Sequence, residues 1–142
     1  MTIDGELVTR KLLLIIRELD ALRDVHGRGV DAYVSSRVDQ AVAERLLERI
    51  IGRMIDVNYH LLTASGEPPP SDYHASFVQL GASILPPEFA RRLASSAGLR
   101  NRIVHEYDEL DHAKVFEALG AAVQDVPAYA RHIDAYLGMM GR

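Results

Sequence analysis

Apolar residues recur at steps of three and four through three long segments of this chain, and no run of strand length alternates with a period of two. Such steps place one apolar stripe along an α-helix, so the pattern restricts the chain to a helical architecture. In the first segment the stripe is Val8, Leu12, Ile15, Leu19 and Leu22, ended by Gly27 and Gly29. In the second it is Val38, Val42, Leu46, Ile50, Met54, Val57 and Leu61, which predicts a helix from near Ser36 or Asp39 to about Ala64. In the last it is Val115, Leu119, Ala122, Val126, Tyr129, Ile133 and Tyr136, a bundle seam with Asp111 as N-cap. Pro127 falls inside this last pattern and is expected to kink it.

The intervening segments are shorter. Asp31 to Arg37 is a polar-aromatic stretch without clear periodicity. Ser65-Gly66-Glu67-Pro68-Pro69-Pro70-Ser71 is a loop, because proline lacks the N–H that a helix needs and clashes with the preceding turn. Neither half of the chain closes a core alone, so the loop joins two parts of one domain. A short helix is expected from Tyr73 to Ser83. Pro86 and Pro87 start another, with the stripe Phe89, Leu93, Ala97, Arg100, Val104 and Tyr107. The expected fold is all-α, an up-and-down bundle of four main helices plus a short one, with a single domain over residues 1–142.

A net charge of −4 argues against a surface that binds nucleic acid throughout, but permits a local basic site. Arg91, Arg92, Arg100 and Arg102 lie close together, with His105 just beyond. The absence of cysteine excludes disulfides and thiolate metal sites. His26, His74, His112 and His132 lack metal-ligand spacing, and no cofactor or metal is expected. The first residues carry acids where a signal peptide needs bases, and no apolar run reaches membrane-spanning length. The expectation is a cytoplasmic protein with no membrane partner.

The chemistry concentrates in Arg100-Asn101-Arg102-Ile103-Val104-His105-Glu106-Tyr107. Arginine holds phosphate oxygens in a planar fork, and histidine gives or takes a proton near neutral pH. The set suits phosphodiester chemistry without a metal. On a straight helix Asn101 and His105 share one face, Arg100 and Tyr107 share a neighbouring one, and His105 points nearly opposite Tyr107. A regular helix therefore does not gather all four groups. Either the helix loosens near Glu106, or a second copy of the site completes a cleft.

Arg100-x4-His105-x-Tyr107, with Asn101 directly after the arginine, resembles the Arg-x4-His-x-Tyr motif of HepT-type toxins, in the HEPN superfamily of helical ribonucleases. The resemblance extends over nearly the whole chain. It takes in Glu44 to Glu48, Ile55 to His60, Tyr73, Leu85-Pro86-Pro87, Ala97 to Asn101 and Tyr107-Asp108-Glu109. It implies a metal-independent endoribonuclease toxin. A ribose 2′-OH attacks the adjacent phosphate in line and leaves a cyclic phosphate and a 5′-OH, with His105 as base or acid and Arg100 on the phosphorane oxygens. Asn101 orients the phosphate or His105. The resemblance further implies a homodimer that brings a second Arg100 and His105 to one groove. It implies a nucleotidyltransferase antitoxin that neutralises the toxin by adenylylating Tyr107, placing a phosphate charge and a base over Arg100. The superfamily often carries another polar residue on an earlier helix, for which Glu44, Arg45 and Asn58 are candidates.

Blander readings stand beside these. His105 also fits a solvent-facing helix position, and Tyr107 a buried anchor on the apolar stripe. Arg102 reads as a surface or steering charge, and His60 as a satisfied, partly buried histidine. The alternative function is a non-catalytic helical module that binds and regulates a partner nucleotidyltransferase.

Overall fold

The computed structural model describes residues 2–141, and for Tyr107 only the backbone. Six α-helices follow in order: α1 Gly5–Gly27, α2 Val30–Val34, α3 Arg37–Ala64, α4 Tyr73–Leu80, α5 Pro87–His105 and α6 His112–Met139. A 3₁₀ turn, Tyr107–Glu109, separates α5 from α6. The all-α class with four long helices is as the periodicity predicts, and no strand occurs among the described residues.

Side-chain caps set most of the helix starts. Asp4 Oδ1 accepts from the Leu7 N–H at 3.0 Å, Ser36 Oγ from Asp39 at 3.1 Å and Asp72 Oδ1 from Ala75 at 2.7 Å. Asp111 Oδ1 accepts from both Ala113 and Lys114 and opens α6. Pro86 occupies the cap position of α5 and Pro87 its first turn, where a missing N–H costs nothing. The helix α6 continues through Pro127.

α3 is the central element: α1, α4 and α5 all pack on it, and α6 packs mainly on α1. The predicted stripe of α1 is buried in full. That of α3 is buried only from Ile50 onward. Val38 and Val42 are exposed, and the inward face there is Gln40, Ala43 and Leu47. The reason is geometric. Each step of four residues turns about 400°, so three successive fours between Val38 and Ile50 rotate the stripe by about 120°. The short α2 lies at the polar-aromatic stretch, for which no helix was predicted. Its Tyr33 is fully buried, tilted against Phe116 with ring centroids 5.6 Å apart. The Gln40 amide donates to the carbonyls of Tyr33 and Val34 and so closes the end of α2, which accounts for a buried glutamine. The helix α4 stops at Leu80, before the expected Ser83.

α5 and α6 splay apart over α3. The apolar groove between them, about 520 Å³, is lined by Leu47, Ile51 and Met54 below and by Leu93, Ala118 and Val126 on its walls. Arg92 spans it to Asp125 with two hydrogen bonds, at 3.2 and 3.1 Å, and this contact holds the guanidinium more firmly protonated.

Deeper in the bundle, burial pushes the Glu44 carboxyl above the ordinary carboxylate range, partly offset by His112, whose Nδ1 lies 3.9 Å away. The folded chain then keeps a proton on Glu44 at pH values where the unfolded chain has lost it. Stability therefore falls as pH rises through the interval just above the ordinary carboxylate range. Glu44→Gln is expected to flatten that fall, as measured by urea unfolding at a series of pH values. Equal slopes in variant and parent would refute the assignment.

Candidate active site

Arg100 sits on the last two turns of α5, half-buried, and turns toward α3 and α4. Its guanidinium carbon lies 5.5 Å from the centroid of the Tyr73 ring, a cation–π contact. Its Nε is buried and finds no acceptor among the described residues. On α3 the facing position is Gly52. A Cβ there would meet Arg100 Nε at 3.8 Å, an ordinary van der Waals contact. A buried N–H donor without an acceptor carries a desolvation cost, and such groups mark strain or a place for a ligand.

Arg100 also lines an open cleft of about 540 Å³. Its α3 wall is Arg49, Gly52, Arg53, Ile55, Asp56 and Tyr59, and Tyr73 and Arg100 form the opposite side. The aromatic pair is fixed: Tyr59 and Tyr73 meet edge to face with centroids 6.2 Å apart. Burial, then the neighbouring Tyr73 and Asp72, raise the Tyr59 phenol above its usual range, so it stays neutral at physiological pH. The charge at the rim is unbalanced. Arg49 and Arg53 both reach the same oxygen of Glu18, each at 2.8 Å, while Lys11 pairs with Asp56 at 3.4 Å. Four cations, counting Arg100, meet three carboxylates: Glu18, Asp56 and the Asp72 beside Tyr59.

Asn101 and His105 are both exposed and lie one helical turn apart. His105 is the last residue of α5 and has no hydrogen bond or ion pair among the described residues. The helix breaks at Glu106, whose φ of −130° and ψ of 29° are non-helical, although its N–H still donates to the Arg102 carbonyl at 2.7 Å. Of the two ways the sequence left open, the helix does loosen at Glu106, without bringing Arg100 onto the face of Asn101 and His105. Tyr107 consequently stands in the 3₁₀ turn and not on the α5 stripe, and its side chain lies outside the described residues. Arg102 is exposed beside the α5–α6 groove.

Within one chain, then, Asn101 and His105 share a solvent-facing surface, and Arg100 occupies a separate cleft beside it. None of Glu44, Arg45 and Asn58 lines that cleft. Glu44 faces His112, Arg45 pairs with Glu48 at 3.4 Å, and Asn58 is locked in the core. The polar residues of α3 that do meet Arg100's cleft are Arg49, Arg53 and Asp56, with Tyr59. Sequence reasoning passed over Arg49 and Arg53 and took in Asp56 and Tyr59 only within the Ile55 to His60 resemblance, because these residues interleave with the buried Ile55 and Val57. Their common face, at intervals of three and four through Arg49, Arg53, Asp56 and Tyr59, was the available signal.

A family described as ribonuclease HepT-like matches residues 15–133. A tRNA nuclease HepT of Aphanizomenon flos-aquae is 40% identical over 136 residues, covering 95% of this chain and 92% of that protein. Among solved structures, the tri-AMPylated Shewanella oneidensis HEPN toxin in complex with an MNT antitoxin superposes with a TM-score of 0.85 at 23% identity, covering 92% of this chain and 98% of that one. A tyrosine-to-alanine mutant of the toxin–antitoxin pair MntA–HpeT gives 0.82 at 22% identity over 90% and 98% of the two chains. The cytosolic protein YutE of Bacillus subtilis, of unknown function, gives 0.83 at 14% identity over 99% and 95%.

Proposed function

The chain belongs to the HepT-like ribonuclease family, and from that membership we propose that it is the toxin of a toxin–antitoxin pair, an endoribonuclease acting on RNA of the tRNA class without a metal. One observation carries the reading at the level of the site. An exposed Asn101–His105 face adjoins a guanidinium that is held in place by an aromatic ring and has no acceptor of its own.

The reaction assigns each group a task. His105 takes the proton of the attacking 2′-OH or returns one to the departing 5′-oxygen. The bond to the 5′-oxygen breaks as the 2′-oxygen bonds to phosphorus, leaving a 2′,3′-cyclic phosphate and a 5′-OH. Arg100 offers positive charge to the oxygens of the phosphorane, and Asn101 positions the phosphate or the imidazole. One motif histidine per chain supplies one proton-transfer group. A homodimer about a two-fold axis supplies the second and brings both arginines to one groove.

The antitoxin in this reading is a nucleotidyltransferase that transfers AMP to Tyr107. A phosphodiester on the phenol adds a negative charge two residues from His105 and covers the RNA-facing surface. The test is co-expression with a candidate nucleotidyltransferase antitoxin. Intact mass is expected to rise by one or more AMP units, and Tyr107→Phe to remove the first of them while the variant remains toxic in the presence of the antitoxin. An unchanged mass for the parent chain would overturn the modification and leave masking by binding. Growth arrest on expression of the chain alone, with RNA cut in the cells, separates a nuclease from a regulatory module.

A further inference from the structure

The cleft between α3 and α4 is larger than Arg100 alone needs, and its walls are not those of a structural void. Arg49 and Arg53 converge on one carboxylate oxygen, so a unit of positive charge there is uncompensated. Arg100 contributes a buried donor with no acceptor. Tyr73 is 42% exposed, its ring lies at a right angle to that of Tyr59, and Arg100 covers one of its faces. Cations that track a phosphodiester beside a rigid, partly exposed aromatic face make the combination by which proteins hold single-stranded nucleic acid. Each element is also rigidly mounted. Arg49, Arg53 and Tyr59 stand on the central helix, and Tyr73 opens α4 directly after the capping residue Asp72.

We propose that this cleft is a subsite for one nucleotide of the RNA strand next to the scissile phosphate, its phosphate held by Arg49 and Arg53 and its base stacked on the face of Tyr73 opposite Arg100. The assignment rests on the reading above that the chain acts on RNA. It adds where the strand runs: from the Asn101–His105 face, past Arg100, onto α3. Asp56 at the rim disfavours a second phosphate there, which limits the subsite to one nucleotide.

The test is fluorescence anisotropy with a labelled single-stranded RNA whose riboses are all 2′-O-methylated, so that no attacking hydroxyl remains. Tyr73→Leu is expected to raise Kd roughly tenfold, and Tyr73→Phe to stay within about twofold of the parent, because stacking needs the ring and not the hydroxyl. Arg49→Gln is expected to weaken binding and to lower the slope of log Kd against log salt by about one. An unchanged circular dichroism spectrum and Tm for each variant confirm that the fold is intact. Parental affinity in both Tyr73→Leu and Arg49→Gln overturns the subsite. So does binding that is lost for the nucleotidyltransferase partner but kept for the oligonucleotide, which assigns the cleft to protein docking. Competition by free AMP without binding of the oligonucleotide also overturns it, in favour of a mononucleotide site. The nuclease reading fails separately: a chain that binds the oligonucleotide through Tyr73 but cuts no RNA keeps the subsite and loses the catalysis.

Discussion

His105→Ala is expected to lower the rate of RNA cleavage by about two to four orders of magnitude, the usual contribution of a positioned acid or base, and to relieve growth arrest. It is the cleanest substitution at this site. His105 is exposed at the end of α5 and holds nothing else in place, so its removal should change stability by no more than about 0.5 kcal/mol. Arg100→Ala is the weaker experiment, since Arg100 also packs on Tyr73 and beside Gly52, and its loss mixes chemistry with packing. The measurement is single-turnover cleavage of bulk tRNA with purified protein, paired with a thermal melt. A His105→Ala protein that melts like the parent and cuts at the parental rate would remove the imidazole from the mechanism. The same pair of measurements separates this outcome from a folding defect, which moves the melt along with the rate.

The fold was legible from sequence wherever a helix buries one continuous stripe. α1 and α6 do so, and their spacings locate Leu12, Ile15, Leu19, Leu119, Val126 and Ile133 in the core. Legibility fell where a helix serves more than one neighbour. α3 is packed by α1, α4 and α5, so its buried face broadens past Ile50 to include Ile51, Ile55 and Leu62, and a single stripe drawn through it drifts to the exposed Val38. α2 was invisible because five residues hold too little periodicity, and what fixes it is tertiary: a buried Tyr33 and a glutamine from the next helix. At the candidate site the motif gave Arg100, Asn101 and His105 their register along α5. It gave no information on the α3 side of the cleft, since Arg49, Arg53 and Tyr59 lie far from the motif in sequence and meet it only through packing. The break at Glu106 was one of two ways the sequence offered to relieve a regular helix from which four functional groups cannot converge, the other being a second copy of the site.

Tyr129→Ala is expected to destabilise the domain by about 3–5 kcal/mol, as removal of a large buried aromatic does, and so to remove much of the roughly 5–15 kcal/mol that holds a domain of ordinary stability folded. The tyrosine is fully buried on α6, and its hydroxyl lies 2.6 Å from Asn58 Oδ1 and 3.1 Å from the Met54 carbonyl, both on α3. The Asn58 amide in turn donates to Ser76 Oγ at 3.2 Å, and Ser76 donates to the carbonyl of Tyr73 at 2.7 Å. Three helices are thus joined through one buried polar chain that ends at the residue beneath Arg100. Burial raises the Tyr129 phenol well above its usual range, so it remains a donor throughout the working pH range. Tyr129→Phe keeps the ring and removes only the hydroxyl. Its expected cost is about 1–3 kcal/mol, because Asn58 Oδ1 is then buried without a donor. Urea unfolding of the two variants separates packing from hydrogen bonding. If Tyr129→Phe were as stable as the parent, the network would be incidental to stability, and the anchoring of Tyr73 would have to come from the Asp72 cap, the ring contact with Tyr59, the Arg100 contact and the apolar contacts of Phe77 and Leu80.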